Sequence, residues 1–513
     1  MTTFKTLPDM ISGQNAQAVA VEAPDRTPLR YGELAALVAR TKGSLRGFGV
    51  ARQDRVALVL DNGPEMACAF IAIASACTAA PLNPAYREDE FAFYLSDLQA
   101  RALVVAYGSS SASVAAARKL GLLVLELRAS PDLAAGEFVL AAIDAVHTQA
   151  VVPDSASNAN DVALILHTSG TTSRPKIVPL SQRNLCASAR NIVQTLQLTA
   201  TDCALHVMPM FHIHGLIAGV LAPLASGGRI YCTPGFNALR FFGWMKAAAP
   251  TWYTAVPTMH QAILSRAANN SDVIRANPLR FIRSSSSSMP PQVIAELEQV
   301  FGAPLIESYG MTEATHQMAS SPLPPQRRIA GSVGLAAGPQ VAIMDDEGAL
   351  LAQGQTGEVV IRGENVTSAY ENNPQANTQA FVDGWFRTGD QGVMDADGYL
   401  TLTGRLKEII NRGGEKISPR EVDEVLMDHP AVAQVVTFAM PHPKWGEEVA
   451  AAVVLREGVE VTERALRDFV STRIADYKVP RKIVFLTEIP KGATGKLQRI
   501  GLAAKLGLGS PNV

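Results

Sequence analysis

Through the middle of the chain a short apolar run, a polar or glycine-rich loop and a helix-patterned stretch follow one another repeatedly. Val162 to Leu166 has the length and composition of a buried strand; a loop from His167 to Lys176 follows, and Ser181 stands where it can cap a helix reaching about Leu196. Cys203 to Val207 leads into the loop Pro209 to Gly215, and Trp252 to Ala255 leads into Pro257 and a helix carrying Ile263. The clearest repeat comes next. Leu279 to Ile282 predicts a strand and Ser284 to Ser288 a loop, and Pro290 and Pro291 fall in a first helical turn, where a missing N–H costs least. Ile294, Leu297 and Phe301 share one helix face, and Gly302 closes the helix. Pro304 to Ile306 opens another strand that runs into 307–313. Such an order predicts a largely parallel sheet whose ligands bind beyond the carboxyl ends of its strands. Each polar loop falls at such an end, so all should gather on one crevice.

The pattern changes near residue 404. Before it, 384–390 and 395–402 read as short strands with Asp-Gly turns. After it come a helix from Pro419 to Asp428, strands near Val432 to Phe438 and Val449 to Leu455, and a helix from Thr462 to Ile474. The expected class is α/β: a large N-terminal domain over 1–403, a hinge at 404–408, and a small α+β domain over 409–513.

Composition excludes more than it assigns. The 513 residues are 47% hydrophobic and 18% charged, ordinary for a globular chain, and about 150 residues per domain suggests three or four folding units. With 45 basic against 47 acidic residues, nothing points to nucleic acid or an anionic membrane as a partner. Cys68, Cys77, Cys186, Cys203 and Cys232 form neither a disulfide framework nor a zinc motif. The most apolar stretch, Met66 to Ala80, is shorter than the roughly 20 residues a span needs and predicts a buried helix. No secretory signal or peroxisomal address is visible at the ends, so a cytoplasmic, reducing location is expected.

Two loops carry chemistry-bearing groups. Thr168 to Lys176 packs five hydroxyls, a glycine and two cations into nine residues, which suits a polyphosphate, although a Ser/Thr-rich surface turn fits the loop equally well. Tyr309, Gly310, Met311, Thr312 and Glu313 offer a ring for a base, a hydroxyl for a phosphate and a carboxylate for Mg²⁺; in isolation an ordinary strand-end turn explains them better.

Five motifs in order change that weighting: the 168–176 loop, Tyr309 to Glu313, Thr388-Gly-Asp390, Gly404-Arg-Leu-Lys-Glu408 and Pro490-Lys-Gly-Ala-Thr-Gly-Lys496. Together they resemble the adenylate-forming superfamily of acyl-CoA synthetases, luciferases and peptide-synthetase adenylation domains, over nearly the whole chain. Phe93-Tyr-Leu-Ser-Asp97, Leu166 to Lys176, Thr251 to Thr258 and Met311-Thr-Glu-Ala-Thr-His316 resemble its oxalyl-CoA synthetase branch. Ile177, where relatives usually have glycine, and the unbroken serines 284–288 depart from the pattern.

The resemblance implies an N-terminal domain of parallel-rich sheets flanked by helices with a small barrel-like subdomain, and a mobile C-terminal domain. It implies ATP, Mg²⁺ and coenzyme A as reactants or cofactors. Thr168, Ser169, Gly170, Thr171, Thr172 and Lys176 would hold the ATP phosphates; Tyr309, flanked by Gly310 and Met311, would stack on adenine; Thr312 would meet the α-phosphate and Glu313 the metal. Asp390 would receive the ribose hydroxyls with Arg405 beside it, Lys407 would be the pivot, and Lys496 would neutralise charge on the attacked phosphate. Gly413 and Gly414 would line a pantetheine tunnel, Lys416 would exchange contacts with the adenylate, and Trp445 and Tyr477 would lie near the CoA adenine.

For the acid, the candidates are His214, Ser286 and His316. These are polar where a fatty or aryl pocket would be apolar, and they suit a second carboxylate, with charge supplied if a histidine is protonated. A structural histidine is the competing reading for His316. Oxalate is thus the preferred small acid, with His214 counted among the catalytic groups. A medium-chain or hydroxycinnamate CoA ligase, or an inactive binding protein of the same fold, stand as alternatives.

Overall fold

The computed structural model describes residues 4–143, 152–153, 156–168, 175–490 and 499–509. Two large sheets dominate it. In the seven-stranded sheet Val139–Ala142, Leu123–Arg128, Ala102–Ala106, Arg55–Val59, Thr78–Pro81, Val162–Thr168 and Lys176–Ser181 lie side by side in that order. Its inner pairs are parallel and its two edge pairs antiparallel. The nine-stranded sheet runs Leu335–Ala336, His316–Ser320, Leu305–Met311, Phe281–Ser285, Trp252–Ala255, Cys203–His206, Arg229–Cys232, Val19–Glu22 and Leu29–Arg30. Pairing is parallel from Leu305–Met311 through to Val19–Glu22, as the strand–helix–strand pattern predicts. Helix Pro64–Ala76 belongs to a core shared by residues of both sheets; every residue in it but Glu65 is buried, because a helix apolar on all sides has no face to give to water.

Three local expectations are revised. The run Met66 to Ala80 is helix only to Ala76; Thr78–Pro81 is a buried strand, since pairing with Arg55–Val59 satisfies its backbone where a longer helix would not. The strand expected to stop at Ile282 continues to Ser285, and Ser285 Oγ donates to Ser308 O at 2.8 Å. The segment read as a loop through Gly215 already turns helical at His214, where the fully buried π-helix His214–Leu221 begins. Such wide turns recur at functional sites.

The expected barrel-like subdomain takes the form of a five-stranded antiparallel sheet, with Gln340–Met344, Thr356–Arg362, Trp385–Met394 and Phe381–Val382 in order and Leu400–Arg405 added to Trp385–Met394. The last sheet contains Glu415–Ile417, Ile410–Arg412, Gly446–Leu455, Val432–His442 and Lys482–Phe485. Helices Pro419–Met427 and Glu463–Ser471 pack on it around a separate core that includes Val422, Leu426, Val449 and Leu466. Ile177, the departure after the phosphate-type loop, is buried in a third cluster with Ile165. All five cysteines are buried and free. Among the described residues no helix is long and apolar enough to cross a membrane.

Candidate active site at the strand ends

Strand Leu305–Met311 delivers Tyr309 to the carboxyl edge of the nine-stranded sheet, buried, with its hydroxyl donating to Asp390 Oδ2 at 2.5 Å. Arg405 Nε lies 3.0 Å from the other carboxylate oxygen, because Asp390 and Arg405 are register partners on adjacent antiparallel strands. Burial, reinforced by Asp390, pushes the Tyr309 phenol well up, so it stays a donor. Gly310, Met311 and Thr312 follow, half-buried, and the chain doubles back into His316–Ser320. A Cβ on Gly310 would sit 1.8 Å from the carbonyl oxygen of His316, so that return needs glycine.

Glu313 is buried, and its Oε1 accepts from the Tyr370 hydroxyl at 2.8 Å. The Lys176 ammonium lies 4.3 Å from the centroid of the same tyrosine ring. Burial lowers the Lys176 pKa, with Glu313 opposing and the exposed Lys407 adding to the effect. Lys176, Glu313, Tyr370, Arg405 and Lys407 therefore share one electrostatic neighbourhood. Thr168 ends strand Val162–Thr168 and pairs in register with Lys176, while His167 beside it holds Asp97 at 3.0 Å. Ser169, Gly170, Thr171 and Thr172 lie outside the described residues, as does Lys496. The donor set fits a magnesium ion on a nucleotide. Tyr370 holds one oxygen of Glu313, and such an ion needs only one or two carboxylates beside phosphate oxygens.

The acid candidates also come together. The rings of His214 and His316 stack with centroids 4.8 Å apart, and His214 Nδ1 lies 3.1 Å from Ser286 Oγ. Ser286 and His316 have φ of +75° and +94°, left-handed for residues with a side chain, and such strain tends to gather at functional sites. Burial, then His316 and Arg283, hold the His214 pKa well below the ordinary histidine range. His214 is therefore neutral near pH 7, so the charge that a protonated histidine would supply does not come from His214.

Sequence reasoning missed four residues of the two clusters. Tyr370 has no pattern around it that marks it. Thr254, Arg283 and Gln317 surround the inner side of His214: Thr254 Oγ1 lies 2.7 Å from its Nε2, and Arg283 reaches that nitrogen at 3.4 Å, Thr254 Oγ1 at 3.3 Å and Gln317 Oε1 at 3.3 Å. A charged residue in a buried strand was the one available signal for Arg283.

On the C-terminal sheet Gly413 (φ +60°) donates its N–H to Trp445 O at 2.9 Å, and Arg412 and Lys444 lie over the Trp445 ring at 5.1 and 4.3 Å. Gly414 and Lys416 are exposed beside them; Tyr477 is half-buried against that sheet's core, and Val479 lies within it. This sheet meets the antiparallel one through Arg420 to Leu402 O at 3.0 Å and through Ser418 to Thr403 O. Arg499 ties Glu408, at 3.3 Å, to Asp423, at 2.5 Å.

The strand-end crevice brings Tyr309, Asp390 and Arg405 together and Glu313 under Tyr370, as the resemblance to adenylate-forming enzymes implies. The chain belongs to the AMP-binding enzyme family, whose domain matches residues 11–371 and whose C-terminal domain matches residues 421–496. It is 44% identical to an oxalate–CoA ligase of Arabidopsis thaliana over 96% of this chain and 97% of that one. It is 40% identical to an oxalate–CoA ligase of Saccharomyces cerevisiae over 100% and 98%. Among solved structures, ATP-bound MatB from Rhodopseudomonas palustris superposes with a TM-score of 0.87 at 27% identity, covering 98% of each chain.

Proposed function

We propose that this chain is an ATP-dependent, AMP-forming CoA ligase that activates a small dicarboxylic acid, oxalate before others, through an acyl-adenylate. The observation that carries the choice of acid is the polar cluster of His214, Ser286 and His316 at the strand ends, where a fatty or aryl acid would want an apolar wall. The similarity to two oxalate–CoA ligases supports the same reading.

The chemistry explains the need for these groups. A carboxylate cannot expel oxide, so one oxygen is first joined to the α-phosphorus of ATP, with pyrophosphate leaving, and the CoA thiol then displaces AMP. Attack at phosphorus spreads charge over the phosphate oxygens, so placed cations and donors are the main lever. Lys176, Thr312 and the 168–172 loop serve the phosphates. Asp390, oriented by Tyr309 and Arg405, receives the ribose hydroxyls. Glu313, oriented by Tyr370, would hold Mg²⁺, which neutralises phosphate charge when bound. Lys496 acts in the first half-reaction.

The thiol step needs a narrow dry path instead of a polyphosphate clamp. In our reading the C-terminal domain, 409–513, turns against 1–403 about 404–408 with Lys407 as pivot, and brings Gly413, Gly414 and Trp445 to the crevice. The five buried free cysteines fit a reducing, cytoplasmic setting. The deciding experiment is an acid panel with ATP, Mg²⁺ and CoA, detecting AMP and each thioester. Oxalate should give the highest kcat/KM. A medium-chain or hydroxycinnamic acid turned over in its place would overturn the assignment of the acid, and no AMP from any acid would overturn the enzyme reading.

A further inference from the structure

Arg283 lies in the middle of the nine-stranded sheet, completely buried, and pairs with no carboxylate among the described residues. Its neighbours are Thr254, its register partner on the adjacent parallel strand, His214 at the start of the π-helix, and Gln317. Burial brings its pKa down to about 9, still cationic at neutral pH. A buried cation without a counter-ion is costly, and arginine holds its proton where lysine would give it up.

A guanidinium donates hydrogen bonds and accepts none. That one-sidedness orders the groups beyond it. Thr254 Oγ1 accepts from Arg283 at 3.3 Å, leaving its hydroxyl proton to point to His214 Nε2 at 2.7 Å. Nε2, facing both Thr254 and the guanidinium, must be the bare nitrogen of a neutral ring, so Nδ1 carries the proton and donates to Ser286 Oγ at 3.1 Å. One lone pair of Ser286 Oγ is then taken from the protein side, and its own O–H is directed elsewhere. Ser286 is half-buried at the strand's carboxyl end with a left-handed backbone.

We infer that Arg283 is a positioning and specificity residue: through Thr254 and His214 it makes the Ser286 hydroxyl a one-way donor to the acid, and its uncompensated charge is answered by the acid's own. This rests on the reading that the acid is a small anion. It removes the need for a protonated histidine, and it accounts for an arginine buried with no carboxylate partner among the described residues. A neutral residue at 283 would free the relay to run either way and leave the acid's second charge without its counterpart.

The test is a cycle of Arg283→Met, Ser286→Ala and the double variant, assayed on oxalate and acetate at saturating ATP and CoA, with thermal unfolding as a check on folding. Arg283→Met should raise the KM for oxalate on the order of ten- to a hundredfold, as for loss of a charge-assisted contact, with the KM for ATP unchanged. Any acetate turnover should change far less. The double variant should be little worse than Ser286→Ala alone, because the two act on one contact. Arg283→Lys, whose ammonium would give up its proton in so buried a place, should recover little of the loss. Should Arg283→Met not fold, Thr254→Val cuts the relay one step further on and should shift the oxalate KM in the same sense. Additive losses in the double variant, or equal losses for both acids, would overturn the inference. The wild-type profile separates the two readings: a wild type that ignores oxalate defeats the choice of acid, and the relay is then judged by the same cycle on the acid it does use.

Discussion

The hydroxyl of Tyr309 and Oδ2 of Asp390 meet at 2.5 Å across two different sheets, one residue near the end of Leu305–Met311 and the other inside the antiparallel strand Trp385–Met394. With Arg405 on the remaining oxygen, the carboxylate is held in one orientation before any ligand arrives, which is what a group receiving two neighbouring hydroxyls requires. Asp390→Asn keeps the shape and removes the charge. Its KM for ATP should rise by about tenfold or more while the KM for the acid stays put. Nucleotide titration checks it; an unaltered ATP affinity would take Asp390 out of the ribose site.

Tyr370→Phe keeps the ring under the Lys176 ammonium and removes only the hydroxyl that holds Glu313. Adenylation should slow by about tenfold, and the Mg²⁺ concentration for half-maximal rate should rise, with little change in thermal stability. Rates measured across a magnesium titration decide it. Unchanged magnesium dependence would mean that the tyrosine serves packing alone.

Gly413→Ala should separate the two half-reactions. Its Cβ would stand 2.6 Å from Trp445 Cε3, on a backbone whose φ of +60° costs a side chain about 1–2 kcal/mol. Thioester formation from supplied acyl-adenylate should suffer and ATP–pyrophosphate exchange should not. Lys496→Ala should do the reverse. Equal damage to both steps in either variant would contradict the division of labour between the domains.

His260 is fully buried against Tyr253 Oη at 3.1 Å, and burial brings its pKa down to about 4. Above pH 6.5 the ring is neutral whether folded or unfolded and adds no pH dependence. Between about 6.5 and 4 the unfolded chain takes up a proton the folded one refuses, so stability drops as pH falls, by up to about 1.4 kcal/mol per pH unit. His206, brought down to about 4 by burial, acts in the same sense, and Glu307, pushed up to about 7 by burial, acts against it. His260→Gln should therefore lose less stability than wild type on going from pH 7 to pH 5, read as the difference in Tm between the two proteins at each pH. Parallel curves would show that His260 is not the group titrating.

Much of the framework was legible along the chain, for reasons particular residues make plain. The helix Pro291–Phe301 announces itself through two prolines at its start, Leu297 and Phe301 on one face and Gly302 in a left-handed cap; all three signals are local. Tyr309, Asp390 and Arg405 were picked out as candidates only because five short motifs in order resemble one family; each run alone reads as an ordinary turn. Tyr370 was not, since it reaches Glu313 from 57 residues away with nothing around it to signal the contact.

Arg283 marks where sequence reading stops. Along the chain, an arginine after Phe281 and Ile282 looks like the place where a buried strand comes out into water, and there the expected strand ended. In the folded protein the strand continues through it to Ser285, because Thr254, His214 and Gln317 arrive from three other elements to take its donors. Order of elements and parallel pairing were set by local patterns of apolar, polar and glycine positions, which depend on neighbours in sequence. Which polar groups could be buried, which histidine stays neutral and where the acid's counter-charge sits were decided by packing. The cost of burying a charge depends on partners that only the tertiary structure brings within reach.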